Sequence, residues 1–463
     1  MEPSKNNLLT SPVLPSLLRF AVPVLLALLL QALYGAVDLW AVGVFGSTAD
    51  ISAVSTGSQT LMIVTGAIAG LSMGSTILLG RRVGRRDSEG SGQVVGSSVK
   101  LFCLLGTVLS VVMVFAAEPI ARVMNAPDEA LKQTTGYIRI CGGGSLFIAA
   151  YNLLSAIFRG TGDSKSPLVF VSIACVVNIA GDIVLINGFN LGAEGAAIAT
   201  VAAQAVSVAL SLVFIKKKGL PFPIGKRHFT RHNATTGMIL KLGSPIALQD
   251  MCNEISYLII LGLVNALGVA ASAGVGIAEK LVIFILLIPM AYMQSVSAFV
   301  SQNVGAGKYE RANRAMWTGM QTAALLGGVL GYAAYFHGDA LSTIFVKDAG
   351  ASQADVIRAS AEFLRATSIE CFLLSIACCL TGYFNGLGKT TFVMAQGLAA
   401  VFLVKIPYAY AASRAETPSL FNIGLSMAYA ALFTLTICLI YYARTRRRGG
   451  APVGKGEVER EAE

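Results

Sequence analysis

The sequence predicts an all-α polytopic membrane protein, with twelve transmembrane helices in two six-helix lobes related by a parallel pseudo-two-fold repeat. Three observations carry that expectation. Of 463 residues, 55% are apolar and only 13% charged, against about 25% charged in soluble domains; mean hydropathy is +0.68. Twelve apolar runs, each long enough for a span of roughly 20 residues, follow one another with short polar breaks. The second six runs repeat landmarks of the first. This composition excludes a soluble enzyme with ordinary cores. It also excludes disorder, which needs low hydrophobicity and high charge.

Residues 1–15 read as a cytoplasmic amino-terminal tail. The first lobe, 16–215, holds runs near 16–44, 52–80, 94–117, 135–158, 168–187 and 192–215. Its first run is too long for a signal peptide and lacks a small-residue cleavage site, so it is expected to stay as a span. The stretch 216–238 is the longest basic loop. With Pro221, Pro223 and Gly225 it reads as a cytoplasmic linker. The second lobe, 239–443, holds runs near 239–267, 271–301, 315–336, 359–386, 391–412 and 419–443. A basic tail, 444–463, closes the chain.

The net charge is +10 and the isoelectric point about 9.2. Such a balance often points to nucleic acid. Here 26 of the 35 Lys and Arg sit in the two tails, in alternate loops or at their helix ends, and nucleic acid is not an expected partner. The opposite side holds seven, namely Arg122, Lys132, Arg139, Lys347, Arg358, Arg365 and Arg414. The positive-inside rule then places both termini in the cytoplasm of a cell (inner) membrane protein, which requires an even number of spans. The eight cysteines follow no metal or disulfide spacing and read as small apolar residues.

The repeat rests on four landmarks. Arg19-Phe-Ala-Val-Pro23 aligns with Lys241-Leu-Gly-Ser-Pro245, 222 residues later, and Gly46 with Gly268 at the same offset. Val83-Gly84 and Glu89 fall on Val304-Gly305 and Glu310 at an offset of 221. Gly160-Thr-Gly162 falls on Gly386-Leu-Gly388 at 226. Six spans per half give both halves the same orientation, hence a parallel repeat. Such duplications build transporters whose two lobes rock around a central cavity.

A charge inside a span costs roughly 2.5–3.5 kcal/mol on insertion scales, so each needs a reason. Asp38 and Asp182 lie well inside spans of the first lobe. Gln31, Tyr34 and Asp38 share one helix face, as do Asn178 and Asp182. Two carboxylates, the Asn178 amide and the Thr200 hydroxyl make a hard-oxygen set, suited to Na⁺ or to a proton shared between carboxylates. The alternative is that the acids only bridge helices. The second lobe carries Asp250 and Glu254 four apart, the adjacent Glu279 and Lys280, Glu370 and Lys405. Structural pairing and ligand binding are both open there. Pro23, 15 residues before Asp38, permits a kink in the first span. Pro289 does so in the eighth.

These residues carry a resemblance to the multidrug and toxic compound extrusion (MATE) family. The markers are Pro23, Gln31, Tyr34 and Asp38, Val83-Gly84, Phe158-Arg-Gly-Thr-Gly-Asp163, Asn178-Ile-Ala-Gly-Asp182 and Gly195-Ala-Ala-Ile-Ala-Thr200. The resemblance spans residues 15 to 443. It implies a multi-pass antiporter that exchanges Na⁺ or H⁺ for organic, often cationic, drugs and so contributes to antibiotic resistance. In the DinF-like branch the cation site lies in the first lobe, and the matching positions are Asp38, Asn178, Asp182 and Thr200. Gln31 and Tyr34, with Asn152 of the fourth span, are the implied substrate contacts. Glu254 and Glu370 are similar to acids that NorM-like members use. No cofactor is implied beyond the coupling ion. A self-contained two-lobed cavity favours a monomer.

Several signals point elsewhere and are set aside. Gly386-Leu-Gly-Lys389-Thr390 is not a phosphate loop, because Tyr383 stands where its first glycine belongs and no strand precedes it. His228, His232 and His337 all lie in loops, so no histidine chemistry is expected within the membrane. Asn233-Ala-Thr235 matches a glycosylation sequon but faces the cytoplasm. A lipid-linked oligosaccharide flippase of the same superfamily would want mid-span Arg and further spans. A membrane enzyme would want a nucleophile and a base facing each other in the membrane, and the spans hold neither a histidine nor a serine motif.

Overall fold

The computed structural model describes residues 8–230, 233–343 and 353–447. Among these residues every regular element is helical, and each of the twelve expected runs falls on a helix. Arg231, His232, Lys347 and the tail from Arg448 lie outside the described residues.

The first half contains α1 (Val13–Phe45), α2 (Thr48–Gly84), α3 (Ser88–Phe115), the short α4 (Ala117–Val123), α5 (Leu131–Gly143), α6 (Ser145–Thr161), α7 (Lys165–Asp182) and α8 (Gly192–Lys218). The second half contains α9 (Asn233–Asn265), α10 (Val269–Gly305), α11 (Tyr309–Thr343), α12 (Gln353–Gly386), α13 (Thr390–Ala399), α14 (Ile406–Ser413) and α15 (Leu420–Arg447). Ten described stretches are long and apolar enough to cross a membrane. The pair α5–α6, bent by 47°, makes an eleventh. The remaining run lies on α11, which is kinked at His337, a residue expected in a loop and found inside this element; the 28 residues before the kink reach about 40 Å at 1.5 Å per residue. Its Gly, Thr and Gln content dilutes the apolar signal.

The fourth run, read as one stretch from its continuous apolarity, breaks at Gly144. The break sits where neighbours come close. A Cβ at Gly142 would lie 2.4 Å from the Met113 side chain, and one at Gly144 would lie 2.4 Å from that of Val201. The fifth and eleventh runs each contain a widened, π-helical turn, at Ile183–Gly188 and Ala400–Lys405. Pro407 explains the second. It has no N–H to give to the preceding turn, and a wider turn absorbs the lost bond.

The duplication is visible in the turns. After α2, the amides of Arg85, Arg86 and Asp87 bond the carbonyls of Arg81, Val83 and Arg82. After α10, Ala306, Gly307 and Lys308 bond Gln302, Val304 and Asn303 in the same pattern. Arg86 (φ 59°) and Gly307 (φ 72°) hold the same left-handed position. Gly162 and Gly388 end α6 and α12 alike, at φ 90° and 70°.

The chain forms two compact units. One is Leu26–Ala247. The other combines the residues up to Leu25 with those from Leu248 onward. Helices α1 and α9 therefore pass from one unit to the other two residues beyond Pro23 and Pro245 respectively. In the first unit, Ile77, Leu78, Leu79, Phe102 and Ile157 form a buried core. There α2 and α9 cross so closely that a Cβ on Gly74 would lie 2.6 Å from the Ile239 carbonyl oxygen. The linker docks in the same unit. His228, only 1% exposed, lies over Gly92, and its carbonyl over Gly96. The Glu89 carboxylate holds Arg227 at 2.6 Å and His228 Nε2 at 3.2 Å. In the second unit, Phe363, Leu364 and Ile423 anchor the core. The segment before α1 is held by Asn303, Lys308 and Arg311, which donate to the carbonyls of Leu8, Leu9 and Ser11.

Candidate functional site: a carboxylate pair in the first unit

Four helices of the first unit converge on the polar stripe of α1. Gln31, Tyr34 and Asp38 stand at i, i+3 and i+7, so they face one way. Each is tied to a different residue. Gln31 Nε2 donates to the Tyr151 hydroxyl on α6 at 2.6 Å. Gln204 Nε2 on α8 donates to the Tyr34 hydroxyl at 3.0 Å. One turn earlier on α8, Thr200 Oγ1 donates to Asp38 Oδ2 at 2.8 Å.

Helix α7 adds the second carboxylate. Asn178 and Asp182 occupy one face, four residues apart, and the π-helical turn begins immediately after Asp182. Both side chains interact with the Asp38 carboxylate. Asp38 is 4% exposed, and Asn178 and Asp182 are 0% exposed. Five polar atoms in this group have no hydrogen-bond partner: Asp38 Oδ1, both Asp182 oxygens, and the amide oxygen and nitrogen of Asn178. Buried polar atoms are paired as a rule, and a buried charge without a partner is costlier still. Among the described residues no Lys or Arg acts on either carboxylate. Tyr137 and Cys141 of α5 complete the surroundings.

This donor set is all hard oxygen apart from one amide nitrogen. It fits an alkali cation or a shared proton, and it lacks the thiolate or imidazole a soft metal prefers. Asp38, Asn178, Asp182 and Thr200, named together from spacing and resemblance, are brought together. Gln31 and Tyr34 line the stripe leading to them. Asn152, next to Tyr151 on α6, donates its amide to Ile148 O of its own helix at 2.9 Å. Tyr151 and Gln204 escape sequence reading. Their one available signal is position, beside Asn152 and four residues after Thr200.

The second unit holds the other charged set. Lys405 Nζ, at the end of the π-helical turn, donates to Ser256 Oγ at 2.8 Å. It also interacts electrostatically with Glu370 and Glu254. Asp250 acts with Glu254, and Glu279 with its neighbour Lys280. A separate open groove, lined by Val404, Tyr408, Tyr429, Leu432, Phe433 and Thr436, is almost wholly apolar and includes none of these charges.

Comparison with known proteins agrees on the family and the fold. The MatE family model matches residues 23–184 and 245–411, so each matched segment begins at one of the two aligned prolines. The chain is 26% identical over 453 residues to the probable multidrug resistance protein YoeA of Bacillus subtilis, covering 95% of this chain and 96% of that one. It is 24% identical over 395 residues to the multidrug export protein MepA of Staphylococcus saprophyticus, covering 84% and 86%. A solved outward-facing structure of a multidrug resistance MATE family transporter of the MOP superfamily superimposes with a TM-score of 0.88, at 20% identity and 96% and 98% coverage. A MOP superfamily transporter from Pyrococcus furiosus does so with a TM-score of 0.90, also at 20% identity and 96% and 98% coverage.

Proposed function

The chain belongs to the MatE family, whose model it matches in both halves, and from that premise we propose that it is a secondary antiporter exporting organic, often cationic, compounds in exchange for Na⁺ or H⁺. It is a transporter and not an enzyme. The observation that carries the coupling assignment is the Asp38–Asp182 pair, fully buried, with three unpartnered carboxylate oxygens and no basic side chain acting on it. Such a pair is suited to a cation that comes and goes, a sodium ion or a shared proton. Cation and substrate then compete for one charge state of the lobe, and alternating access turns that competition into exchange. The protein works in this reading as a monomer in the cell membrane, with both termini in the cytoplasm.

The side chains have separate roles here. Asp38 and Asp182 hold the coupling cation or proton. Asn178 contributes its amide oxygen, and Thr200 orients Asp38 through its donated hydrogen bond. Gln31 and Tyr34, fixed by Tyr151 and Gln204, present the polar stripe to the substrate. YoeA and MepA carry multidrug-resistance and multidrug-export names, which supports small organic substrates rather than lipid-linked sugars.

The test is export of a fluorescent cationic dye from reconstituted vesicles under a Na⁺ gradient and a pH gradient, imposed separately. Transport is expected under one of them. Failure under both overturns the reading. Thr200→Val is expected to weaken coupling without abolishing it. Losing one hydrogen bond to a charged group is worth roughly 1.5–3 kcal/mol, about ten- to a hundredfold in cation affinity. The measurement is the cation concentration giving half-maximal export. An unchanged value contradicts the role given to Thr200.

A further inference from the structure

The two charged clusters differ in one respect. In the first unit, two buried carboxylates have no basic side chain acting on them. In the second unit, Lys405 reaches Ser256, two residues after Glu254, at 2.8 Å, Glu370 Oε2 is buried without a hydrogen-bond partner, and both acids lie within the electrostatic reach of Lys405. We infer that Lys405 is a tethered counter-cation, taking in the second unit the place that an exchangeable cation takes in the first, and that it thereby excludes Na⁺ from the Glu254–Glu370 site.

The geometry supports an ammonium held among the acids rather than locked to one of them. Lys405 Nζ is anchored on Ser256 Oγ at 2.8 Å, and that hydroxyl is itself directed to Asn253 O at 2.6 Å. Among the described residues no carboxylate is ion-paired with Nζ, and the ammonium acts on Glu370 and Glu254 through space. Glu370 Oε2 is buried without a hydrogen-bond partner, and its compensation is the Coulomb field of Lys405. The other charged groups of the cluster are Asp250, which acts on Glu254, and Glu279, which acts on Glu254 and has Lys280 beside it. Tyr257 lies within the field of Glu254, Glu279 and Glu370. Lys405 closes the π-helical turn of the eleventh span. A primary ammonium and Na⁺ are both compact, strongly hydrated monovalent charges that oxygen ligands accept. Two such charges exclude one another at close range.

The experiment measures radioactive Na⁺ binding to the purified full chain carrying Asp38→Asn and Asp182→Asn, so that the first cluster does not contribute and its own role is not at stake. This background is expected to bind no Na⁺ through Glu370. Adding Lys405→Met is expected to create a site with Na⁺ affinity raised about tenfold or more. Glu370→Gln should remove it again, and Lys405→Arg should not create it. Unchanged binding in the Lys405→Met protein overturns the inference. Glu370-dependent binding in the background overturns it equally. If the Lys405→Met chain does not fold, carbodiimide labelling of Glu370 in the unsubstituted chain, read by mass spectrometry, gives the answer. Labelling indifferent to Na⁺ is expected, and protection by Na⁺ overturns the inference.

Discussion

Asp38→Asn and Asp182→Asn should each abolish gradient-driven export while leaving the protein as stable as before, or more so. A coupling charge moved through 100 mV is worth roughly 2.3 kcal/mol, about fiftyfold in accumulation. Each variant is expected to lose that whole factor. The stability half of the expectation follows from the hydrogen bonds. Thr200 donates to Asp38 at 2.8 Å, and an asparagine oxygen accepts that bond equally well, while the contact of Asp38 with Asp182 can be kept by an amide that donates to the remaining carboxylate. Asn is isosteric with Asp, so packing is kept, and a charge that costs roughly 2.5–3.5 kcal/mol to insert is removed. The measurements are dye export in vesicles and thermal unfolding followed by size-exclusion chromatography. If the acids were only bridges between helices, unfolding would come earlier and export would fall in proportion to folded protein. Export at the original level would deny Asp38 and Asp182 the coupling role.

The second large effect lies in the crossing of α2 and α9. Gly74→Leu or Gly243→Leu is expected to prevent assembly of the first unit. A Cβ on Gly74 would lie 2.6 Å from Ile239 O and 2.7 Å from Gly243 N. One on Gly243 would lie 2.5 Å from Leu71 O. These are backbone atoms, which cannot swing aside as a side chain does, and small residues at such crossings let helix backbones meet. Overpacking of a tight core costs about 1–3 kcal/mol even where rotamers can yield, so a larger loss is expected here. Gly66→Ala is the control. It lies on α2, and its Cβ would meet nothing within 4 Å, so the helix propensity of alanine should leave stability unchanged or raise it by up to about 1 kcal/mol. The yield of monodisperse protein and the unfolding midpoint measure both. Normal yield and midpoint for Gly243→Leu would contradict the crossing.

Charges inside apolar runs are the most legible features of a membrane sequence, because insertion cost singles them out. Asp38 and Asp182 were visible for that reason, and the four-residue spacing of Asn178 from Asp182 put both on one face. The duplication was visible as drifting offsets, and its turns repeat hydrogen bond by hydrogen bond. Tyr151 and Gln204 were not visible. A Tyr or Gln in a span is unremarkable until a partner on another helix is known, and those partners lie 120 and 170 residues away. The break at Gly144 was hidden because apolarity runs straight through it. The two π-helical turns were hidden because they change helix geometry without changing hydropathy. His228, read as one more basic linker residue, is buried because Gly92 and Gly96 leave room for it. That depends on a pairing of distant segments, which local sequence does not state.

The central claim is that the Asp38–Asp182 pair exchanges a cation for substrate. It is tested most directly by running the exchange backwards. Vesicles containing the protein are given a gradient of cationic dye and no ion gradient, and the movement of Na⁺ and of protons is followed. The account predicts that one of these ions moves uphill against the dye in the unsubstituted protein, and that Asp38→Asn or Asp182→Asn abolishes this movement. Dye movement with no counter-moving ion, or counter-movement that survives loss of either carboxylate, would contradict it.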